Sequence, residues 1–373
     1  MHLLVEIGIM FVKICIREYM GNIARGIDMA KKASIKDVAA LAGVSPTTVS
    51  QVINKKNDHF PEETIERVMD AVRQLGYVPN QSAKSLRGGG NPLIGVMVPS
   101  LRNPFFSDLM QSMQNHAHNL ADLVFISVDD DEIEQGLLKT LERGVNGLVI
   151  ARMLPNALEV DRYLQKQGIP YVVLDQINDS NISDHVKTDE FTGGQVVARH
   201  LVELGHKKIA LLHPDVMTTN MLERISGFTA IIDEQDDVEI IEIATKLSKH
   251  GGLAIANKVA ASGATAAFTL NDEMGIGLLR GLKNGGVRVP EDISVIGYDN
   301  TDYAEFTVPS LTTVTQAVWR MGQLALDMVL ARLKDPALPM QEEILDVRLI
   351  QRESTAPAPT KLQLSKSPRS PRF

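Results

Sequence analysis

Thr47, Thr48, Ser50 and Gln51 stand in one short run, Thr-Thr-Val-Ser-Gln, whose apolar members Val49, Val52 and Ile53 take the inward positions of a helix. Small polar side chains on a short helix suit base edges: Gln pairs bidentately with adenine, and a Thr methyl touches the methyl of thymine. A second polar set follows apolar, strand-like runs. Ser100 and Phe105 come after Leu93–Val98, Asp175 after Tyr171–Leu174, Asn271 and Asp272 after Ala264–Leu270, and Asp299 and Asn300 after Ile293–Tyr298. Carboxylates accept twice and amides both donate and accept, which suits a ligand with neighbouring hydroxyls. Catalytic spacings are missing: the chain has no Walker loop, no Gly-x-Ser-x-Gly and no His/Cys metal pattern. Gly88-Gly89-Gly90 precedes a strand-like run instead of following one, so it is no dinucleotide fingerprint. Binding without an enzyme activity, a cofactor or a metal is the expectation.

The first set needs a scaffold. Ser34 caps an expected helix through Ala42, with Ile35, Val38, Ala39 and Ala42 on one face, and Gly43 ends it in a left-handed turn. Ser45-Pro46 opens a second helix through Asn54, with a cap and a first-turn proline. A third runs from Pro61 to Leu75 with Ile65, Val68, Met69, Val72 and Leu75 as its apolar stripe. Two helices across a tight turn, braced by a third, make a helix-turn-helix, whose second helix enters the major groove. An ordinary three-helix bundle with a polar face gives the same spacing. Ser34 and Ser45, at the helix starts, suit phosphate contacts.

Beyond Gly90 the period changes. Strand-like runs also occur at Leu123–Val128, Gly147–Ala151, Lys208–Leu212 and Glu239–Ala244, and helical segments such as Phe106–Asn119, Gly193–Leu204, Glu223–Asp233 and Glu273–Lys283 alternate with them. That alternation means parallel sheets covered by helices, and its length favours two lobes. Ligands bind beyond the carboxyl ends of such strands.

Charge is distributed to match. The 373 residues carry a formal −8, but Met29–Gly90 holds nine basic against six acidic side chains. A basic module on an acidic body points to DNA contact by the first part alone. A single cysteine, Cys15, excludes a disulfide framework and fits a cytoplasmic setting. Leu3–Ile16 is apolar but carries Glu6 and Lys13, is too short to span a bilayer, and lacks the marks of a signal peptide. Residues 1–28 read as an upstream extension, with Met29 opening the protein proper; a partner-binding helix is the other reading. Residues 356–373, rich in Pro, Ser, Lys and Arg, read as a disordered tail without heptads.

The run from Ile35 to Phe106, with Val-Ala-Ala-Leu-Ala-Gly-Val-Ser-Pro-Thr-Thr-Val-Ser at its heart, resembles the lactose/galactose repressor family, and the likeness extends from Ser34 to about Glu353. The resemblance implies an all-α helix-turn-helix head over residues 29–78, a hinge over 79–91, and a two-lobed body over 92–355. The body is α/β with parallel sheets, like a periplasmic binding protein, and the chain crosses between lobes near Asp189, Gln316 and Leu345. Residues matching Pro46, Thr47 and Gln51 set operator choice, and Thr48, Ser50 and Asn54 complete the expected DNA-facing surface. In the hinge, Asn80, Ala83 and Leu86 match residues at the minor groove, Leu86 as an apolar wedge. Arg224, Asn271, Asp299 and Gln316 match a polar effector shell, with Phe105 and Leu247 as apolar walls. Thr218 and Asn220 occupy places that vary with effector. Singly, these residues have plainer uses: Asp299 as a helix cap, Arg224 in a surface ion pair, Gln316 as a solvated side chain.

The implied protein is a homodimeric regulator, a repressor of double-stranded pseudo-palindromic operator DNA controlled by a small sugar-like effector. Purine-sensing members carry glycine at the place of Asn271, which favours a sugar here. A corepressor-dependent or phosphoprotein-assisted regulator is the runner-up, and a solute-binding protein the rival from another class. Replacing Leu86 by Ala is expected to weaken operator binding about tenfold or more by removing the wedge, with effector binding unchanged. A gel-shift titration beside an effector titration checks both halves, and unchanged operator affinity removes the wedge.

Overall fold

The computed structural model describes residues 34–53, 60–75, 90–128, 132–154, 156–175 and 183–359. Asn54, Asn80, Ala83, Leu86, residues 1–28 and the tail beyond 359 lie outside the described residues. The chain divides into two compact units, Met1–Gly90 and Asn91–Phe373.

The first unit contains α1 (Ile35–Ala42), α2 (Pro46–Ile53) and α3 (Glu62–Leu75). Ser34 caps α1 in a capping box: its hydroxyl accepts from the Asp37 amide, and the Asp37 carboxylate accepts from the Ser34 amide at 2.7 Å. Gly43 closes α1 at φ 65° and ψ 35°, left-handed geometry that glycine adopts without strain. The core is small: Val38, Ala39, Ala42, Val49, Val52, Val68 and Ala71, with Ile65 and Val72 partly buried beside them. The expected stripe on α3 is narrower than its sequence pattern, because Met69 and Leu75 are 37% and 36% exposed.

The second unit holds two six-stranded sheets, with helices on both faces of each. The first lobe begins with β1 (Leu93–Val98), α4 (Pro104–His116), β2 (Asp122–Ser127), α5 (Ile133–Glu142), β3 (Gly147–Ile150), α6 (Ala157–Gln167), β4 (Tyr171–Leu174) and β5 (Asp184–Thr188). The second lobe holds α7 (Glu190–Glu203), β6 (Lys208–His213), α8 (Thr219–Ile232), β7 (Glu239–Ala244), α9 (Lys249–Ala254), α10 (Ala256–Ala261), β8 (Ala266–Thr269), α11 (Asp272–Asn284), β9 (Ser294–Asp299), α12 (Asp302–Phe306) and β10 (Thr312–Thr315). Then α13 (Val318–Lys334) and β11 (Glu342–Leu345) return to the first lobe, and β12 (Arg348–Ile350) to the second. Strand orders are β11-β5-β4-β3-β1-β2 and β12-β10-β9-β8-β6-β7, parallel except for the β10–β12 pair. The chain thus changes sheet at Asp189, at Gln316 and between Leu345 and Arg348.

Alternating side chains build each core. Ile94, Val96 and Val98 of β1 pack with Leu109, Met113, Met321 and Val329 of α4 and α13, whereas Met97 faces Leu137 and Leu164. In the second lobe Ile209, Leu211 and Phe268 meet Val197, Leu201 and Phe228, and Ala210 and Leu212 meet Met274 and Leu278. Burying each such large side chain contributes about 1.5–3 kcal/mol. The helices α7 and α8 approach backbone to backbone. A Cβ on Gly194 would lie 1.9 Å from the Arg224 carbonyl, and one on Gly227 equally close to that of Phe191. That contact fixes where α8 presents Arg224.

The ordered chain continues past the boundary expected at residue 355. Ala356 O accepts from His206 Nε2 and Ser294 Oγ, and the Ala358 amide donates to Leu204 O at 2.8 Å. His206 is buried; its other ring nitrogen accepts from the Thr265 hydroxyl at 2.9 Å. Burial pushes His206 down to about 4, with the nearby His200 acting in the same sense. The folded state therefore binds this proton more weakly than the unfolded state, so stability is complete above about pH 6.5 and declines as pH falls toward 4. Urea titrations should show the H206Q variant losing about 2–3 kcal/mol less than the parent over that interval. Equal losses contradict the assignment.

Candidate functional site

Two surfaces collect the polar residues singled out by sequence. On α2, Pro46, Thr47 and Gln51 are exposed, and Thr48 and Ser50 are half-buried. Ser45 caps the helix: its hydroxyl accepts from the Thr48 amide at 3.0 Å and lies 2.9 Å from the Thr48 hydroxyl. Thr48 is thereby committed to the cap as well as to the outer face. Exposed Ser34 sits at the start of α1. An α-helix carrying such side chains outward fits a major groove.

The other surface is a cavity of about 540 Å³ in the second unit, at the carboxyl ends of both sheets. The ends of β1, β3 and β4 supply Pro99, Ala151, Arg152 and Asp175; those of β6, β8 and β9 supply Pro214, Asn271 and Asp299. All eight residues of the expected effector set line it: Phe105, Thr218, Asn220, Arg224, Leu247, Asn271, Asp299 and Gln316. Ser100, Asp272 and Asn300 do not. Asp272 is instead a buried strut that accepts from the Thr301 amide and from the hydroxyls of Thr301 and Thr313.

Arg224 is buried, 3% exposed, and both Nε and Nη2 lie 2.9 Å from Glu190 Oε2. Another of its nitrogens donates to the Leu270 carbonyl, and the guanidinium stacks 3.4 Å from the centroid of the Tyr298 ring. Gln316 Nε2 donates to Asp299 Oδ1 at 2.8 Å, and its Oε1 lies 3.3 Å from the Thr188 hydroxyl. The Thr188 amide donates to Asp175 Oδ1 at 3.0 Å. Polar contacts therefore run from Asp299 in one lobe to Asp175 in the other through two of the crossovers. Asp175 and Asp299 both have positive φ, 51° and 111°, backbone that L-residues hold only where surroundings enforce it. Burial drives the Asp299 carboxyl well above the usual range, helped by Asp272, Glu190 and Asp175 and opposed by Arg224.

The plainer uses weighed from sequence do not describe three of these groups. Asp299 bonds Gln316, Arg224 is in a buried pair, and Gln316 is 6% exposed. Asn271 does cap a helix: its Oδ1 accepts from the Met274 amide at 3.0 Å. Among the described residues no cluster of three or more His, Cys, Asp or Glu could hold a metal, and no helix is long and apolar enough to cross a membrane.

The sequence model of the family described as "Bacterial regulatory proteins, lacI family" matches residues 34–80, and that of the "Periplasmic binding protein-like domain" matches residues 198–355. The HTH-type transcriptional repressor PurR of Photobacterium profundum is 33% identical over 314 residues, which cover 81% of this chain and 92% of that protein. The chain belongs to the lacI family of bacterial regulatory proteins. Among solved structures, a LacI family transcriptional regulator from Enterococcus faecium with bound ribose is similar to it. That structure has 40% identity and a TM-score of 0.67, covering 71% of this chain and 99% of the other. The lac repressor dimer bound to operator and the anti-inducer ONPF is similar with 29% identity and a TM-score of 0.73, covering 87% of this chain and 100% of that one.

Within this lacI-family body, sequence reasoning left out of the effector set Asp175 and Arg152, which line the cavity, and Glu190, which pairs with Arg224 behind it. Asp175 was visible as a strand end, and Arg152, just past β3, carried the same signal. Glu190, on the first turn of α7, had none: only the fold brings it to Arg224. Replacing Arg224 by Met should cost about 3–5 kcal/mol, because it strands a buried Glu190 carboxylate. Adding Glu190→Gln should recover much of that loss in chemical denaturation. A double variant no more stable than the single one refutes the pairing.

Proposed function

We propose that this chain is a homodimeric transcriptional repressor that reads a pseudo-palindromic operator through α2 and answers to a small, neutral, sugar-like effector in the cleft. The observation that carries the reading is the cavity itself. Its polar wall comes from both lobes and is tied to the crossovers at Thr188 and Gln316, so an occupant alters the angle between the lobes. Arg224, Asn271, Asp299 and Gln316 take the hydroxyls, Phe105 and Leu247 the apolar faces, and Thr218 and Asn220 tune the choice. The ribose held by the Enterococcus faecium relative supports a sugar. The operator carried by the lac repressor dimer supports the DNA and the pairing of subunits. The action is binding without catalysis, in the cytoplasm.

An apolar surface on the second lobe supports a second copy of the chain. Tyr303, Phe306 and Val308 are 55%, 72% and 80% exposed beside Leu253, and Lys249 lies over the Tyr303 ring. Exposed apolar groups of that extent mark an interface. The sign of control is induction: effector in the cleft lowers operator affinity by about 5–150-fold, a coupling of about 1–3 kcal/mol.

The experiment selects bound fragments from sheared genomic DNA and then titrates the recovered site with and without D-ribose and related aldoses. Binding should weaken on adding the sugar, Gln51→Ala should lose about 1–3 kcal/mol of discrimination at one base pair, and Phe306→Glu should yield monomers in sedimentation. Affinity that rises with ligand contradicts induction and makes the ligand a corepressor. Recovery of no preferred site contradicts the reading as a whole.

A further inference from the structure

A second cavity lies at the other end of the first lobe. Its volume is about 480 Å³, and it sits beside Tyr171 and Asp184, the first residues of β4 and β5. The effector cavity takes the carboxyl ends of the strands instead. The walls come from α6 and from the end of α13, the helix that follows the crossover at Gln316. Ile169, Pro170, Leu333 and Met340 give the space an apolar lining.

Its charges do not balance. Asp184 and Arg332 cancel: Arg332 Nε and Nη2 donate to the two Asp184 oxygens at 3.0 and 2.6 Å, and Arg332 donates again to the carbonyls of Leu338 and Pro339. Asp184 Oδ1 also accepts from the Gln341 amide at 2.8 Å. That pair is satisfied from within the lobe. Asp161 is not. It is 6% exposed, and its Oδ1 accepts from the Tyr171 hydroxyl at 2.9 Å and from Gln165 Nε2 at 3.1 Å. Burial, then the Asp161 carboxylate, hold the Tyr171 phenol above its usual range, with Ser183 opposing, so Tyr171 stays a donor. Among the described residues Asp161 Oδ2 has no hydrogen-bond partner, and no basic side chain pairs with either oxygen. A carboxylate so placed has lost most of its water without gaining a counter-ion.

We propose that this cavity is a second ligand site, which takes a small primary alkylamine as its ammonium ion with Asp161 as the counter-ion. An ionised carboxylate only accepts and an ammonium only donates, so the open Oδ2 and the three N–H groups match. A neutral ligand leaves the charge uncompensated, and an anion adds to it. The apolar lining selects a hydrocarbon body over a bare inorganic cation, since methylene groups buried against Ile169, Pro170, Leu333 and Met340 add affinity that a hydrated ion lacks. Such an occupant touches α6 and α13 together and braces the first lobe at the end away from the effector cavity. The site stands whether or not the cleft takes a sugar.

Ligand-observed NMR on the full-length protein tests this with n-butylammonium, n-butanol and butyrate at matched ionic strength. The ammonium should bind saturably, and the alcohol and the carboxylate should not. Asp161→Asn keeps an oxygen for Tyr171 and Gln165 but removes the charge. It should weaken n-butylammonium binding by about tenfold or more, the loss of one charge-assisted hydrogen bond. Gln165→Lys supplies an ammonium of the chain's own, one turn beyond Asp161 on α6. Gln165 is exposed, so this exchange disturbs no core and decides the matter even where Asp161→Asn fails to fold. Gln165→Lys should exclude n-butylammonium and unfold at a higher temperature than the parent. Binding that survives Gln165→Lys places the amine elsewhere on an acidic surface and overturns the proposal. So does n-butanol that binds as well as the ammonium, or an ammonium that shows no saturable binding.

Discussion

The second unit turns on one buried ion pair. Arg224 and Glu190 lie almost wholly out of solvent, bonded to each other through two guanidinium nitrogens, where the α7–α8 contact at Gly194 and Gly227 leaves no room for either helix to slide. Breaking a pair of that kind leaves a buried charge uncompensated, at a cost of about 3–5 kcal/mol. Its geometry is consequently stiff, and everything that bonds to it inherits a fixed position. Thr188 bonds Glu190, and Gln316, which approaches Thr188, bonds Asp299. The crossover segments and the cleft wall are thus one polar assembly.

That arrangement explains how a small occupant acts at a distance. Each lobe has its own dense cores, and the crossover segments beside the cavity join the two lobes. An effector that prefers one lobe angle shifts the balance between angles by its difference in affinity for them and by no more. Among the described residues of the first unit the core is built of valines and alanines: Val38, Ala39, Ala42, Val49, Val52, Val68 and Ala71.

Much of this was legible in the residues. The capping box at Ser34, the left-handed Gly43 and the Ser45 cap follow from local rules, and the structure has each of them. Eight strands were visible as apolar runs. The four others, β5, β10, β11 and β12, were not, because Asp-His-Val-Lys-Thr, Thr-Thr-Val-Thr, Glu-Glu-Ile-Leu and Arg-Leu-Ile mix polar residues with few apolar ones; β11 and β12 lie at sheet edges. The polar shell came from family likeness and strand-end position together. Glu190 and Thr188 could not be read that way, since their roles arise from contacts across 34 and 128 residues of sequence.

The central claim is that cleft occupancy and operator binding are two readings of one equilibrium. The most direct measurement compares sugar affinity in the free protein with that in the operator-saturated protein, by calorimetry at fixed pH and salt. Linkage predicts that DNA weakens sugar binding by the same factor by which sugar weakens DNA binding. Identical sugar affinities in the two states, alongside intact operator binding, would contradict the account.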